Sequence, residues 1–147
     1  MPLNYRIQNG TASVIGFEGG PPTGTLQIPS TISGYPVTSI GDGAFYGFSD
    51  LASVGISTGI TSIGDYAFFG CGGLTGVKIP SGVTGINYRA FNGCSLLTGV
   101  YFLGGAPGLG RSDMFVGVPN ATLYYLAASS GWSPYYGRLY TMTGNFT

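Results

Sequence analysis

Ile60–Gly82 reads ITSIGDYAFFGCGGLTGVKIPSG, and the chain repeats it on both sides. Val37–Gly59 reads VTSIGDGAFYGFSDLASVGISTG, and Val83–Gly105 reads VTGINYRAFNGCSLLTGVYFLGG. The three blocks abut without a gap, each 23 residues long. Like residues therefore fall in columns: Val37, Ile60 and Val83; Ile40, Ile63 and Ile86; Ala44, Ala67 and Ala90; Phe45, Phe68 and Phe91. Leu51, Leu74 and Leu97 follow, then Val54, Val77 and Val100, then Ile56, Ile79 and Phe102. Columns at a fixed period mean that like residues stack in successive coils. One unit cannot bury its apolar face alone; stacking joins the faces into one core.

Within a block the pattern predicts local structure. Leu74–Ile79 alternates, with Leu74, Val77 and Ile79 apolar, and reads as the short parallel strand of each coil. The alanine–phenylalanine segment before Gly47, Gly70 and Gly93 reads as one or two helical turns. A glycine column at that place implies a positive φ or close backbone approach.

The pattern continues outward. Leu26–Ser30 matches Val77–Ser81, and the turn after it, Thr31–Pro36, is five residues longer than its counterpart. Leu123 and Tyr125 lie one period after Val100 and Phe102, and Ala106–Asn120 is a degraded coil with Leu109 and Met114 in core register. About five stacked strands are expected. The fold class is an α/β or mainly β repeat solenoid with one parallel sheet. It forms a single domain, with a cap over 1–25, repeats over 26–126 and a second cap over 127–147. Tyr5–Ile7 and Thr11–Val14 flank Asn9-Gly10, a type I′ hairpin signal that predicts the first cap. Trp132, Tyr135, Tyr136 and Tyr140 are available for the other. An uncovered solenoid end would expose core and strand edges.

Composition narrows the function. Charged residues are 7% of the chain and the net charge is zero. No basic field attracts a phosphate backbone, so nucleic acid is not an expected partner. Near-zero net charge promotes association, and the 28 glycines and 11 tyrosines suit tight turns and an uncharged exterior. These features point to an extracellular protein or a part of an assembly. Met1–Arg6 has no apolar run of the signal-peptide kind. A secretion signal is expected to have been removed beforehand, or never to have been present, as in a virion protein. No stretch reaches the roughly 18 apolar residues of a membrane helix.

Catalytic chemistry finds no support. The chain has no histidine, which removes the commonest general base and metal ligand and any Ser-His or Cys-His dyad. Cys71 and Cys94 stand one period apart. They are either a disulfide between adjacent coils or two small apolar members of a core column; Phe48 in the third place favours the second reading. Asp42 and Asp65 also stack, but Tyr88 breaks the column and a calcium site needs six or more oxygens. They read as solvated turn residues. Gly19-Gly20 and Gly104-Gly105 lack a phosphate-loop lysine and read as turns. No catalytic residue, metal or cofactor is expected.

The open sheet face is more informative. With Val77 and Ile79 inward, Lys78 points outward. Its row is Gln27, Gly55, Lys78, Tyr101 and Tyr124, beside a second row of Ala52, Thr75 and Thr98. Either this is an ordinary solvated face, or Gln27, Lys78, Tyr101, Tyr124, Thr75 and Thr98 form a recognition surface. Tyrosine is enriched in such surfaces as a rigid amphipathic contact. A possible second contact patch is Tyr46 and Phe69, in the turn that also carries Asn92.

The motif Ile-Gly-Asp-x-Ala-Phe-x-Gly-Cys-x-x-Leu-Thr-x-Val-x-Ile-Pro-Ser, from Ile63 to Ser81, resembles the BspA-type leucine-rich repeats. Tyr5–Thr11 (Tyr-x-Ile-x-Asn-Gly-Thr) resembles the start of such arrays, and Asn120–Leu126 with Gly131-Trp132 resembles their closing segment. The likeness extends over roughly residues 5–140. Its third block departs, with Asn87-Tyr88 for Gly-Asp, and its first has Phe48 for cysteine. The resemblance implies a right-handed coil stack with a parallel sheet along one face. It also implies surface proteins of bacteria and some protozoa that adhere and bind proteins. The expected function is a non-enzymatic adhesion module for a protein or glycan surface, extracellular or at the cell surface. The alternative is a self-assembling subunit of a filament, surface layer or virion, whose partners are copies of itself.

Overall fold

β-Branched Val37, Ile60 and Val83 open the three blocks, and Val54, Val77 and Val100 sit within their strands, where such side chains fit a half-buried pleated surface. The computed structural model describes residues 3–20, 22–107, 117–118, 120–126, 131–132 and 141–143. The strands are β1 (Leu3–Gln8), β2 (Thr11–Phe17), β3 (Gly24–Gln27), β4 (Thr31–Ile32), β5 (Tyr35–Ile40) and β6 (Leu51–Gly55). They continue with β7 (Ser62–Ile63), β8 (Gly76–Ile79), β9 (Gly85–Ile86), β10 (Gly99–Phe102), β11 (Thr122–Tyr125) and β12 (Thr141–Thr143).

One side of the solenoid is the expected parallel sheet, in the order β3-β6-β8-β10-β11-β12. Its register follows the period: Val100 pairs with Val77 and with Leu123, and Tyr101 with Lys78 and with Tyr124. The five strands read from the repeat are β3, β6, β8, β10 and β11, and β12 adds a sixth rung.

The structure corrects the expectation of a single sheet. A second one runs β1-β2-β5-β7-β9 along another side. It is built from the segment ending in the Ile40, Ile63 and Ile86 column, where Ser39 pairs with Ser62 and Ser62 with Gly85. Its last two rungs, β7 and β9, are two residues long, too short to show alternation.

The alanine–phenylalanine segments are not helical; the described residues contain no α-helix. Their amides divide the work. Ala44, Tyr46 and Phe48 donate three residues back, to Gly41, Gly43 and Phe45, at 3.2, 3.1 and 3.3 Å. Gly43, Phe45 and Gly47 donate instead to Asp65, Ala67 and Phe69 of the next coil, at 2.8, 2.8 and 2.6 Å. Tyr66, Phe68 and Gly70 repeat this toward Tyr88, Ala90 and Asn92 at 2.9, 2.8 and 2.8 Å. Spending every second amide on a neighbouring coil leaves no i→i−4 ladder, so stacking takes the place of a helix.

Gly47, Gly70 and Gly93 have φ of 75°, 72° and 78°, the left-handed conformation expected of them. Space is tight as well: a Cβ at Gly93 would lie 3.4 Å from both Cα and N of Gly70.

The core lies between the two sheets and the turn ladder. Phe45, Phe68 and Phe91 are fully buried in one interior file, with ring centroids 5.3 and 5.2 Å apart. The valine, isoleucine, alanine and leucine columns are buried around them. Ile56 is only partly buried.

The N-terminal hairpin forms as predicted, with φ of 54° at Asn9 and 77° at Gly10. Its second strand is itself a rung: Ala12 pairs with Val37 and Val14 with Ile40. The longer turn after β3 folds into a second hairpin, β4 against β5. At the other end Trp132 packs on Phe102 and Tyr125, with centroids 4.8 and 5.1 Å away. Leu109, Met114, Tyr135, Tyr136 and Tyr140 lie outside the described residues.

Candidate functional site

Lys78 stands exposed on β8 between buried Val77 and Ile79. The pleat therefore sends it outward as the alternation predicts. Tyr101 is its direct neighbour on β10, and Tyr124 follows on β11. The two tyrosine rings are stacked, with centroids 4.8 Å apart and planes within 10°. That separation matches the strand spacing of a sheet, so both rings stand on edge along their strands. Tyr101 leans back over Gly99, where a Cβ would fall 2.7 Å from the tyrosine Oη. Glycine at that position is what lets the ring lie there.

Gln27 occupies the far end of the row. Its amide lies across Gly55, where a Cβ would overlap it, and Nε2 donates to the Gly55 and Ile28 carbonyls at 3.3 and 3.2 Å. Between Gln27 and Tyr101 runs a shallow groove of about 600 Å³, floored by Ser53, Gly55, Gly76 and Lys78. Thr75 lines the groove, but Thr98 does not. The Thr98 hydroxyl donates to the Thr75 carbonyl at 3.2 Å and helps tie the coils together.

Tyr46 and Phe69 lie elsewhere, on the turn ladder. Their rings stack at 4.7 Å, and Tyr46 is 55% exposed. Three further members of this cluster were not evident from sequence. Tyr66 packs against both rings and against Tyr88, and the Arg89 guanidinium sits 5.2 Å from the centre of the Tyr88 ring. Desolvation, and next the adjoining Tyr88, raise the Tyr66 hydroxyl above the usual phenolic range. Tyr66 and Arg89 hold φ of 57° and 51°, in the column where Gly43 has 63°. Bulky residues rarely adopt this conformation, so spacing alone could not announce it.

Asp42 and Asp65 are more than solvated turns. Asp42 Oδ1 accepts the Asp65 amide at 2.8 Å, and Asp65 Oδ1 accepts the Tyr88 amide at 3.1 Å. Each carboxylate thus caps the coil that follows it. Among the described residues no group of three or more His, Cys, Asp or Glu could hold a metal.

Both cysteines are free and buried. The Cys71 thiol donates to the Phe45 carbonyl at 3.2 Å and the Cys94 thiol to the Phe68 carbonyl at 3.1 Å. The apolar-column reading holds, with a weak hydrogen bond added. The contact with Cys71, and next burial, push the Cys94 thiol far above the usual range.

The family described as BspA type leucine rich repeat region matches residues 23–112 in six copies. No curated relative matches the chain. Among solved structures, a leucine-rich repeat protein from Bacteroides capillosus is 25% identical with a TM-score of 0.66, over 83% of this chain and 94% of that one. A leucine rich cell surface protein from Faecalibacterium prausnitzii is 24% identical with a TM-score of 0.64, over 85% of this chain and 43% of that one. A leucine-rich repeat protein from Bacteroides ovatus is 22% identical with a TM-score of 0.63, over 88% of this chain and 37% of that one. The chain spans less than half the length of the last two.

Proposed function

The chain belongs to the BspA-type leucine-rich repeat family, and on that premise we propose that it is a non-enzymatic binding module acting at the cell surface. Its ligand, a protein or glycan surface, meets the open face of the parallel sheet. The observation behind this reading is the Tyr101–Tyr124 stack beside the groove. Two ordered aromatic rings held on rigid strands lose little conformational freedom on binding.

The experiment is binding of the labelled protein to glycan and protein arrays, wild type against a Tyr101→Ala, Tyr124→Ala double variant and a Tyr46→Ala control. The double variant should lose array binding while the control keeps it. Unchanged binding by the double variant would remove the case for this face.

A second reading, self-assembly, has one specific observation in its favour. Tyr5 and Ile7 pair with buried Val14 and Ala12, yet are 41% and 38% exposed. Strand β1 overhangs the core, and among the described residues β3 ends the opposite sheet with β6 as its one neighbour. An overhanging apolar strand invites a second copy. Light scattering over a concentration series tests it: growth in mass that Ile7→Lys suppresses supports assembly, and a monomer at every concentration opposes it.

A further inference from the structure

The groove between Gln27 and Tyr101 is chemically lopsided. Among the described residues, Lys78 is the one cation that lines it, and no Asp or Glu does. Serine, threonine and glutamine supply the other polar groups. The floor is open backbone at Gly76, where a Cβ would meet nothing nearer than the Gly99 carbonyl at 3.7 Å. Tyr124 covers one face of the Tyr101 ring. Tyr101 itself lines the groove, in register with Lys78 on β8.

Resting on the reading of this face as the binding surface, we propose that the groove takes an acidic saccharide. A sugar ring lies against the inner face of Tyr101, with its carboxylate on the Lys78 ammonium. Hydroxyls of the same sugar meet Ser53, Thr75 and the Gln27 amide. The charge argument selects the anion: a single ammonium with no carboxylate among its described groove neighbours complements one negative group. One cation is far too few for a nucleic-acid backbone, whose binding scales with the number of phosphates neutralised. Strand addition, by which an extended peptide pairs with a sheet, needs the unpaired backbone groups of an edge, which this face does not offer. An aromatic face ringed by hydroxyls and an amide suits a polyol instead. The volume of about 600 Å³ is within the range of roughly 300–1,000 Å³ typical of small-ligand sites.

The test is titration calorimetry of the full chain, at low and moderate ionic strength, with trigalacturonate, a hyaluronan tetrasaccharide and sialyllactose. Galactotriose and lactose are the neutral counterparts, and triglutamate is the peptide control. At least one acidic saccharide should bind, more weakly as salt rises. Lys78→Gln should weaken it about tenfold, the effect of losing one charge-assisted contact, and leave the melting temperature unchanged because Lys78 is exposed. Tyr101→Ala should weaken both acidic and neutral sugars. Equal affinity for acidic and neutral sugars, equal affinity of wild type and Lys78→Gln, or triglutamate binding as well as the sugars would each overturn the proposal. If no acidic sugar binds while the array signal still depends on Tyr101 and Tyr124, the ligand class falls and the binding face stands. If the array signal is also indifferent to those residues, both fall.

Discussion

The Phe68 ring lies face to face with the Phe91 ring, centroids 5.2 Å apart and planes within 7°. The two side chains are one block apart in sequence and both are fully buried. Phe68 is also stacked on Phe45, so it is sandwiched in the middle of the file. Phe68→Ala should therefore cost about 3–5 kcal/mol, since it removes a large buried ring and leaves a cavity bounded by stacked neighbours. Tyr46→Ala, on the exposed turn, should cost much less. Urea denaturation of both variants checks the ranking, and a Phe68→Ala cost no larger than that of Tyr46→Ala would contradict it.

Gly93 tests the turn ladder. It has φ of 78°, and an added Cβ would press on the Gly70 backbone. Gly93→Ala should destabilise by about 1–2 kcal/mol from the left-handed backbone alone, with crowding in addition. Gly72 lacks the positive φ and a Cβ there would meet only Ser95 Oγ at 3.7 Å. Gly72→Ala should be nearly neutral. Thermal melting of the pair separates conformational strain from a generic loss of glycine.

The aspartates test the link between coils. Asp65→Ala leaves the Tyr88 amide without its acceptor and should lower stability by about 1 kcal/mol. Asp65→Asn keeps an acceptor oxygen and should recover most of that. Equal losses in the two variants would mean that the hydrogen bond contributes little.

The cysteines set a pH dependence. The contact between the two buried thiols moves them in opposite directions, Cys94 upward and Cys71 downward, and the folded chain holds the Cys94 proton more tightly than the unfolded chain. Its contribution is complete below the unfolded thiol value of about 8.5 and is lost progressively above it, as the unfolded state ionises first. Urea midpoints should fall between neutral and alkaline pH more steeply for wild type than for a Cys71→Ala, Cys94→Ala double variant, which removes both coupled thiols. A thiol titration should also find two reactive groups after denaturation and almost none in the native protein.

Much of this was legible because stacking repeats chemistry. The phenylalanine file, the inward valines, the outward Lys78 and the Asn9-Gly10 hairpin all announce themselves by period or turn chemistry. What escaped was local or tertiary. Ser62-Ile63 is too short to read as a strand and becomes one only because Ser39-Ile40 lies beside it. Phe45 looks helical until its amide is seen to donate to Ala67 in the next coil. Tyr66 gives no hint in its chemistry of a left-handed backbone, and the position becomes interpretable only beside Gly43 in the same column. On the sheet face, the outward row was readable from alternation. The groove was not, because it depends on how the Gln27 amide folds over Gly55 and how Tyr101 leans over Gly99.

Nuclear Overhauser contacts between selectively labelled phenylalanine rings give the most direct test that residues one block apart are neighbours in adjacent coils. Stacking predicts ring-to-ring cross-peaks for Phe45 with Phe68 and for Phe68 with Phe91, and a much weaker one or none for Phe45 with Phe91. Absence of the first two, with all three rings still buried, would contradict the coil stack and every surface assigned from it.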